Sequence, residues 1–218
     1  MKERIKKIIP RYAYIPLLTM VIMNVLVYNG SKLFTNSLYH YNASIFIDSY
    51  LPFVPFFISF YILAYVQWII GYIKIAKENK ETCYHFCAGE VIAKLLCLFF
   101  FLVFPTTIVR PEVIGDGIWG MLTRFIYSAD APVNLFPSIH CLESWMCFRG
   151  AMALKKVSKK YKIIMFVFTI FVCMSTVLVK QHVFIDIIGG ILMVEIGILI
   201  TKKFHLETIF EKISSKRS

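Results

Sequence analysis

Residues 175–186 read Ser-Thr-Val-Leu-Val-Lys-Gln-His-Val-Phe-Ile-Asp, and they join two strongly apolar runs of the chain. An apolar run of about 20 residues is long enough to cross a bilayer as a helix, so this stretch predicts the turn between two membrane spans. If the second helix begins at His182, then His182 and Asp186 lie one turn apart on the same face. A carboxylate in that position fixes the tautomer of an imidazole and leaves its other ring nitrogen as a base or nucleophile.

The composition of the whole chain indicates an integral membrane protein. The 218 residues are 58% hydrophobic, with a mean hydropathy of +0.69, whereas soluble domains are nearer half apolar. We predict one all-α domain over residues 1–218, a polytopic bundle of six transmembrane helices with its core at 50–201. The predicted spans are residues 12–28, 51–75, 86–104, 138–154, 163–179 and 182–201. The first is expected to stay uncleaved and to end at Asn29-Gly30-Ser31.

The positive charge of the chain predicts its orientation in the membrane. The net charge of +11 falls in short segments between the apolar runs, which is typical of membrane topology rather than of nucleic-acid binding. If the N-terminus is inside, 19 of the 24 Lys and Arg residues are cytoplasmic, four are outside and Lys94 lies within a span. This asymmetry predicts a multi-pass plasma-membrane protein with both termini cytoplasmic. The loop 105–137 and the turn at 175–186 then face outside.

Several polar residues inside the apolar runs have a structural interpretation. Glu90 and Lys94 are four residues apart, which predicts an ion pair within one helix that faces the bundle interior. Glu143 and Glu195 are also interpreted as structural, although Glu143 lies one turn beyond His140. The six cysteines form no CxxC pair, which argues against a disulfide framework or a zinc site, and they are expected to be small buried residues.

Three separated segments are expected to meet at the outer face: residues 105–111, 134–140 and 175–186. Ser138 is predicted to cap a helix, whose free amides would form an anion site. Arg110 and Lys180 would add cations suited to phosphate oxygens. His182 could then attack a phosphoryl centre in line, while His140 protonates the leaving oxygen. No carboxylate cluster suited to a metal ion is present in the sequence, so a metal-free mechanism without a cofactor is expected.

Each of these residues also has an ordinary interpretation when it is taken alone. Lys180 and His182 could cap a span at the membrane interface, and Arg110 could be a topology residue. His140 could be a core histidine, and Asp186 could be a helix-terminal charge that the dipole favours. Their convergence on one face of the membrane favours a functional site.

The three segments resemble the signatures of the type 2 phosphatidic acid phosphatase (PAP2) superfamily. Residues 137–140, Pro-Ser-Ile-His, resemble the second signature, which is usually Pro-Ser-Gly-His. Ser175, His182 and Asp186 match the spacing of the third, and Arg110-Pro111 resembles the end of the first. The resemblance implies His182 as nucleophile, Asp186 as its orienting group and His140 as general acid. The groups expected to bind the substrate phosphate are Arg110, Ser138, Ser175 and Lys180.

The chain departs from these signatures at three positions. Val103 stands where the first signature has Lys, Thr176 where the third has Arg, and Ile139 where the second has Gly. The substitutions at Val103 and Thr176 remove two cations that the signatures usually supply, and Lys180 is expected to replace them.

The sequence Lys-Gln-His at 180–182 resembles the corresponding residues of the branch that contains inositol phosphorylceramide synthases and sphingomyelin synthases.

The resemblance implies a lipid phosphatase in the bilayer that acts on the extracytoplasmic face through a phosphohistidine. Its substrate would be a lipid phosphate. One alternative is a phosphotransferase that moves a phospho-headgroup between lipid alcohols, because water and alcohols are similar nucleophiles. A second alternative is a transporter or structural membrane protein without enzymatic activity.

Overall fold

Long apolar runs form the helices of the protein. The computed structural model describes residues 9–115 and 117–215. In chain order, the helices that it contains are α1 (Arg11–Thr35), α2 (Phe46–Tyr50), α3 (Ile58–Glu78), α4 (Lys80–Val103), α5 (Ile118–Ala129), α6 (Ile139–Ala153), α7 (Lys159–Leu178), α8 (Phe184–Phe204) and α9 (Thr208–Ser215). Two short parallel strands, β1 (Tyr41–Asn42) and β2 (Thr106–Thr107), pair beside them. The predicted all-α membrane bundle is confirmed.

Five helices in the described part of the chain are long and apolar enough to cross a membrane: α1, α3, α4, α7 and α8. The fourth predicted span, residues 138–154, is the 15-residue helix α6. At 1.5 Å per residue it is about 22 Å long, shorter than a hydrocarbon core of about 30 Å. It packs against α3, α4, α7 and α8. The count of six spans therefore stays a prediction, and α6 is a central helix enclosed by longer ones.

The predicted end of the first span at Asn29-Gly30-Ser31 is wrong. Helix α1 continues through a π-helical turn at Leu26–Gly30 and ends at Thr35. Its last turn is held from outside, because the Asn134 side chain donates to Ser31 Oγ (3.1 Å) and Thr35 Oγ1 (2.8 Å). Ser31 and Thr35 are both buried. A tertiary contact thus extends the helix beyond the turn signal in its own sequence.

The predicted start of the last span at His182 is also wrong, by two residues. Helix α8 begins at Phe184 because the Asp186 carboxylate accepts a hydrogen bond from Val183 N (3.0 Å) and so caps the helix there. His182 lies in the preceding turn, where its backbone N–H donates to Thr176 O (3.0 Å). A position before the helix leaves the imidazole free to face the loops.

Two glycines, Gly189 and Gly190, allow α8 to approach its neighbours closely. A Cβ atom at Gly190 would lie 2.6 Å from the backbone oxygen of Ser138, and one at Gly189 would lie 2.5 Å from the Phe136 ring. Because a backbone oxygen cannot move aside cheaply, a residue larger than glycine at position 190 would push α8 away from the start of α6.

Polar loops lie at the two opposite ends of the helix bundle. At one end lie the loops before α3, between α4 and α6, and between α7 and α8; this is called the site end. At the other end, Lys155 N and Lys156 Nζ bond to Glu78 at the end of α3. Some of the charged residues that the sequence assigns to the cytoplasmic side or to the long loop lie outside the described residues. They are Lys2, Arg4, Lys6, Lys7, Asp116, Lys216 and Arg217.

Candidate active site

His182 and Asp186 form a hydrogen-bonded pair at the site end. His182 Nδ1 lies 3.1 Å from Asp186 Oδ2. Burial alone lowers the pKa of His182, but the hydrogen bond and the negative charge of Asp186 outweigh it, so the pKa lies above its ordinary value. With Nδ1–H directed at the carboxylate, Nε2 of the neutral ring is the nitrogen available for chemistry.

His182 is in the wall of two cavities. The histidine cavity, of about 250 Å³, is also lined by His140, Tyr61, Lys32 and Asp130. The arginine cavity, of about 440 Å³, is lined by Arg110, Lys180 and Asp48 together with the loops before α3 and after β2. A group bound at His182 can therefore be reached from two sides.

His140 lies one residue inside α6 and faces the histidine cavity. Its ring stacks on Tyr61 at 3.9 Å between ring centres, and Trp68 contacts it edge-on at 5.0 Å. Its Nε2 atom is buried and has no hydrogen-bond partner among the described residues. An unpaired ring nitrogen held by aromatic neighbours is suited to bind or transfer a proton at a ligand.

Ser138 caps α6, as its sequence context predicts. Its side chain accepts a hydrogen bond from Cys141 N at 3.4 Å, and its own backbone N–H donates to Asp186 O at 3.1 Å. The second bond joins the start of α6 directly to the first turn of α8. It thus sets the position of His140 relative to His182.

Arg110 is held by the site end from several directions. Its Nη1 atom donates to Asp130 O (2.7 Å) and Tyr127 O (3.3 Å), and its Nη2 atom donates to the Gln181 side chain. The guanidinium also lies over the Tyr127 ring, 4.5 Å from its centre. The Nε atom is buried and has no partner within the described chain. The group is therefore fixed in place, with much of its donor capacity in use.

Lys180 and Ser175 are placed less directly. Lys180 Nζ lines the arginine cavity but donates to Leu51 O (2.7 Å) and Asp48 O (3.3 Å). Ser175 is buried in α7, its hydroxyl donates to Val172 O at 2.7 Å, and it is absent from the described lining of both cavities. The structure brings His140, Arg110, Lys180, His182 and Asp186 to one end of the bundle and leaves Ser175 behind them.

Three residues of the site end carried no assignment in the sequence. Asp48 accepts a hydrogen bond from Phe184 N at 2.8 Å and so ties α2 to the start of α8. Asp130 sits between Arg110 and Lys32, and burial raises its pKa to about 6. Asn24, Tyr28 and Lys32 are spaced four residues apart and so share one face of a helix. This spacing would have indicated Lys32 if the predicted first helix had continued past Gly30.

Within the described residues, no three His, Cys, Asp or Glu side chains cluster as metal ligands. The six cysteines are all buried and unpaired with one another. The burial expected of them is confirmed. The titratable side chains described at the site end include two histidines, His140 and His182, and three carboxylates, Asp48, Asp130 and Asp186.

Comparison with known proteins agrees with this architecture. A family model of the PAP2 superfamily matches residues 39–200, a range that includes the three resembling segments and most of the chain. Helix α1, with Lys32, precedes the match. No curated protein and no solved structure matches the chain. The match covers well over half of the sequence, and the chain belongs to the PAP2 superfamily, whose members form helical membrane bundles and are in general phosphatases or phosphotransferases.

Proposed function

We propose that the protein is a metal-independent lipid phosphatase that acts through a phosphohistidine on His182. The observation that carries this proposal is one cavity lined by both histidines, with His182 paired to Asp186 and His140 Nε2 without a partner among the described residues. A nucleophile oriented by a carboxylate and a second, separate proton-transfer group are the two parts that covalent phosphoryl transfer needs.

The proposed reaction has two steps. In the first, Nε2 of neutral His182 attacks phosphorus, the bond from phosphorus to the lipid oxygen breaks, and protonated His140 gives its proton to that oxygen. The products are a lipid alcohol and the phosphohistidine. In the second, His140 takes a proton from water as the water attacks phosphorus; the P–N bond breaks, and phosphate and free His182 are released.

The remaining site residues have graded roles in this proposal. Arg110 neutralises phosphate charge from its fixed position beside His182, and Ser138 positions His140 and the helix start. Lys180 contributes positive charge from the arginine cavity, although two loop carbonyls already bind its Nζ atom. Ser175 stabilises the end of α7, because its hydroxyl is used within that helix.

An apolar groove supports a lipid as the substrate. A groove of about 400 Å³ runs between α1 and α3, lined by Leu17, Val21, Ile69 and Ile73. It shares Asn24, Tyr65 and Trp68 with the histidine cavity. Because the groove and the cavity share these three residues, an acyl or isoprenyl chain bound in the groove would have its phosphate close to the histidines.

We propose that this end of the bundle faces the outside of the plasma membrane and that both termini are cytoplasmic, because of the Lys and Arg asymmetry. A single cysteine at exposed Ile114, at the site end, should react with an impermeant thiol reagent in intact cells. A cysteine at Lys159 should react only after lysis. The reverse pattern would place the site on the cytoplasmic face.

The alternative function is phosphotransfer to a lipid alcohol, as in the inositol phosphorylceramide and sphingomyelin synthase branch. One observation favours it: His182 borders two cavities, so an acceptor alcohol could approach the phosphohistidine from the side opposite the departing lipid. The Lys-Gln-His sequence before Asp186 is the second argument for this branch.

A substrate and acceptor panel decides between these functions. Purified protein receives phosphatidic acid, phosphatidylglycerol phosphate or an isoprenyl pyrophosphate without divalent metal, with and without diacylglycerol. Free phosphate supports the phosphatase, whereas a new phospholipid formed only with an acceptor supports the transferase. The control is His205→Ala, an exposed histidine far from the site. Equal behaviour of wild type and His182→Ala on every substrate would overturn both and leave a non-enzymatic role.

A further inference from the structure

The histidine cavity contains a cation that comes from outside the matched superfamily region. Lys32, in the last turns of α1, lines this cavity together with His140 and His182. It is the one Lys or Arg among the described residues that line it. Its Nζ atom lies 3.4 Å from Asp130 Oδ1 and 3.8 Å from the centre of the Tyr28 ring.

Two other cations of the site end, Arg110 and Lys180, donate more hydrogen bonds to the protein than Lys32 does. Arg110 donates to two carbonyls and the Gln181 side chain, and Lys180 donates to two carbonyls. By contrast, Lys32 has three N–H donors and one long hydrogen bond, to Asp130. A phosphate group carries a charge of about −1.5 to −2 near neutral pH. A phosphate bound in the histidine cavity would therefore need positive charge beside it, and the remaining N–H donors of Lys32 can supply that charge.

Helix α1 is anchored to the segment that leads into the proposed general acid. The Asn134 side chain binds Ser31 and Thr35, the neighbours of Lys32 on α1. Asn134 itself lies a few residues before the cap of α6. Through this contact, Lys32 and His140 are held against the same loop and keep a fixed relation to each other.

We propose that Lys32 is a phosphate-binding residue of the histidine cavity, which exchanges Asp130 for the phosphate oxygens of the substrate. This inference rests on the proposed function of the site. It accounts for the departures at Val103 and Thr176, since a cation from α1 replaces those that the signatures usually supply. Burial raises the pKa of Asp130 to about 6, so this carboxyl is protonated more easily than an exposed aspartate when an anion displaces it from Lys32.

The test measures binding of inorganic phosphate and of orthovanadate to the full chain in detergent by calorimetry. Lys32→Gln is expected to weaken binding of both anions by about tenfold or more, the usual cost of a charge-assisted contact. Lys32→Arg, which keeps the charge, should retain most of the affinity. The matched control is Lys202→Gln, a lysine that lines a cavity at the opposite end of the bundle. It should bind as the wild type does.

The variant Asp130→Asn tests whether Lys32 binds phosphate or serves only as the ion-pair partner of Asp130. If Lys32 binds phosphate, Asp130→Asn should bind the anions at least as tightly as wild type while Lys32→Gln binds them weakly. Equal affinity of wild type and Lys32→Gln would overturn the role of Lys32, and the proposed function would stand if His182→Ala still abolished turnover. If wild type binds neither anion, this inference fails, whereas the proposed function is decided separately by the turnover of wild type and His182→Ala on the lipid substrates.

Discussion

Two clusters of polar side chains are buried in this bundle, and they differ in whether their members satisfy one another. In the closed cluster, Lys94 Nζ contacts Glu90 (2.6 Å), Glu143 (2.7 Å) and Met20 O (3.1 Å), and the Tyr72 hydroxyl lies within hydrogen-bonding distance of both carboxylates. At the site end, His140 Nε2, Asp186 Oδ1 and Arg110 Nε have no hydrogen-bond partner within the described chain.

The difference predicts which residues stabilise the fold and which take part in the proposed reaction. Lys94 Nζ makes two ion pairs and one hydrogen bond, and the predicted ion pair with Glu90 is confirmed. Glu143, one turn beyond His140, turns to Lys94 and is absent from the described lining of the histidine cavity. Because a satisfied buried network rigidifies the fold, the closed cluster should affect stability. The site residues should affect activity instead.

The largest effect expected is on activity, from His182→Ala. Loss of the nucleophile should lower the rate on any accepted lipid phosphate by roughly 10³-fold or more, with little change in thermal stability in detergent. The measurement is phosphate release alongside a melting curve. A variant that loses stability and activity together would place His182 with the structural cluster.

Lys94→Met should have the opposite signature. Two carboxylates would lose their shared cation in a buried site, which costs about 3–5 kcal/mol of stability. The check is the melting temperature and the yield of monodisperse protein, with exposed Lys77→Met as the control. If Lys94→Met folds normally but loses turnover, the closed cluster takes part in the chemistry and the contrast fails.

Asp186→Asn should move the pH dependence of the reaction. Attack requires neutral His182, so the rate falls as the pH drops through its pKa, which Asp186 holds above the ordinary 6.5. Removing the carboxylate leaves burial to lower that pKa, and the acid limb should shift to lower pH while the maximum rate falls.

Asp130→Asn is the matched comparison for this shift. Asp130 also raises the pKa of His182, but it is the smallest of the contributions. The acid limb should therefore move in the same direction and by less. Profiles of kcat against pH for the two variants show which acid limb shifts further. If the acid limb of Asp186→Asn does not shift, Asp186 does not orient His182.

The smallest change in stability and rate is expected from removing a helix cap, and two caps in the bundle can be compared. Ser138 caps α6 at the site and Ser158 caps α7 at the opposite end, so each change to Ala should cost about 1 kcal/mol of stability. Only Ser138→Ala should also lower the rate, because it loosens the start of the helix that carries His140. Equal rates in the two variants would argue that the cap has no part in positioning.

Local spacing predicted one half of the site, and tertiary contacts determined the other. The pairing of His182 with Asp186 and the cap at Ser138 depend on residues within one turn, so the sequence was sufficient for them. The extension of α1 through Gly30 depends on Asn134, roughly a hundred positions away along the chain, and no local signal contains it. The sequence therefore predicted an end of α1 before Lys32 and did not place this lysine at the site.

The same limit explains two further differences. The run 138–154 predicts a membrane span from its apolar content, but its helix has 15 residues and is enclosed by its neighbours. Arg110 was expected to offer its donors to phosphate. Its partners are carbonyls at the end of α5 and the Gln181 side chain, which sequence spacing alone does not place beside it.

The hydrogen bond from Ser138 N to Asp186 O has a consequence for how this scaffold tolerates change. It joins α6 and α8 at their first turns, whereas the connection from α6 to α7 lies at the opposite end of the bundle. Extra residues in that connection leave the spacing of the two histidines unaltered. One extra residue between α7 and α8 would instead change the register of His182 against the helix that holds its partner. Insertions in the chain should therefore be tolerated at one end of the bundle and not at the other.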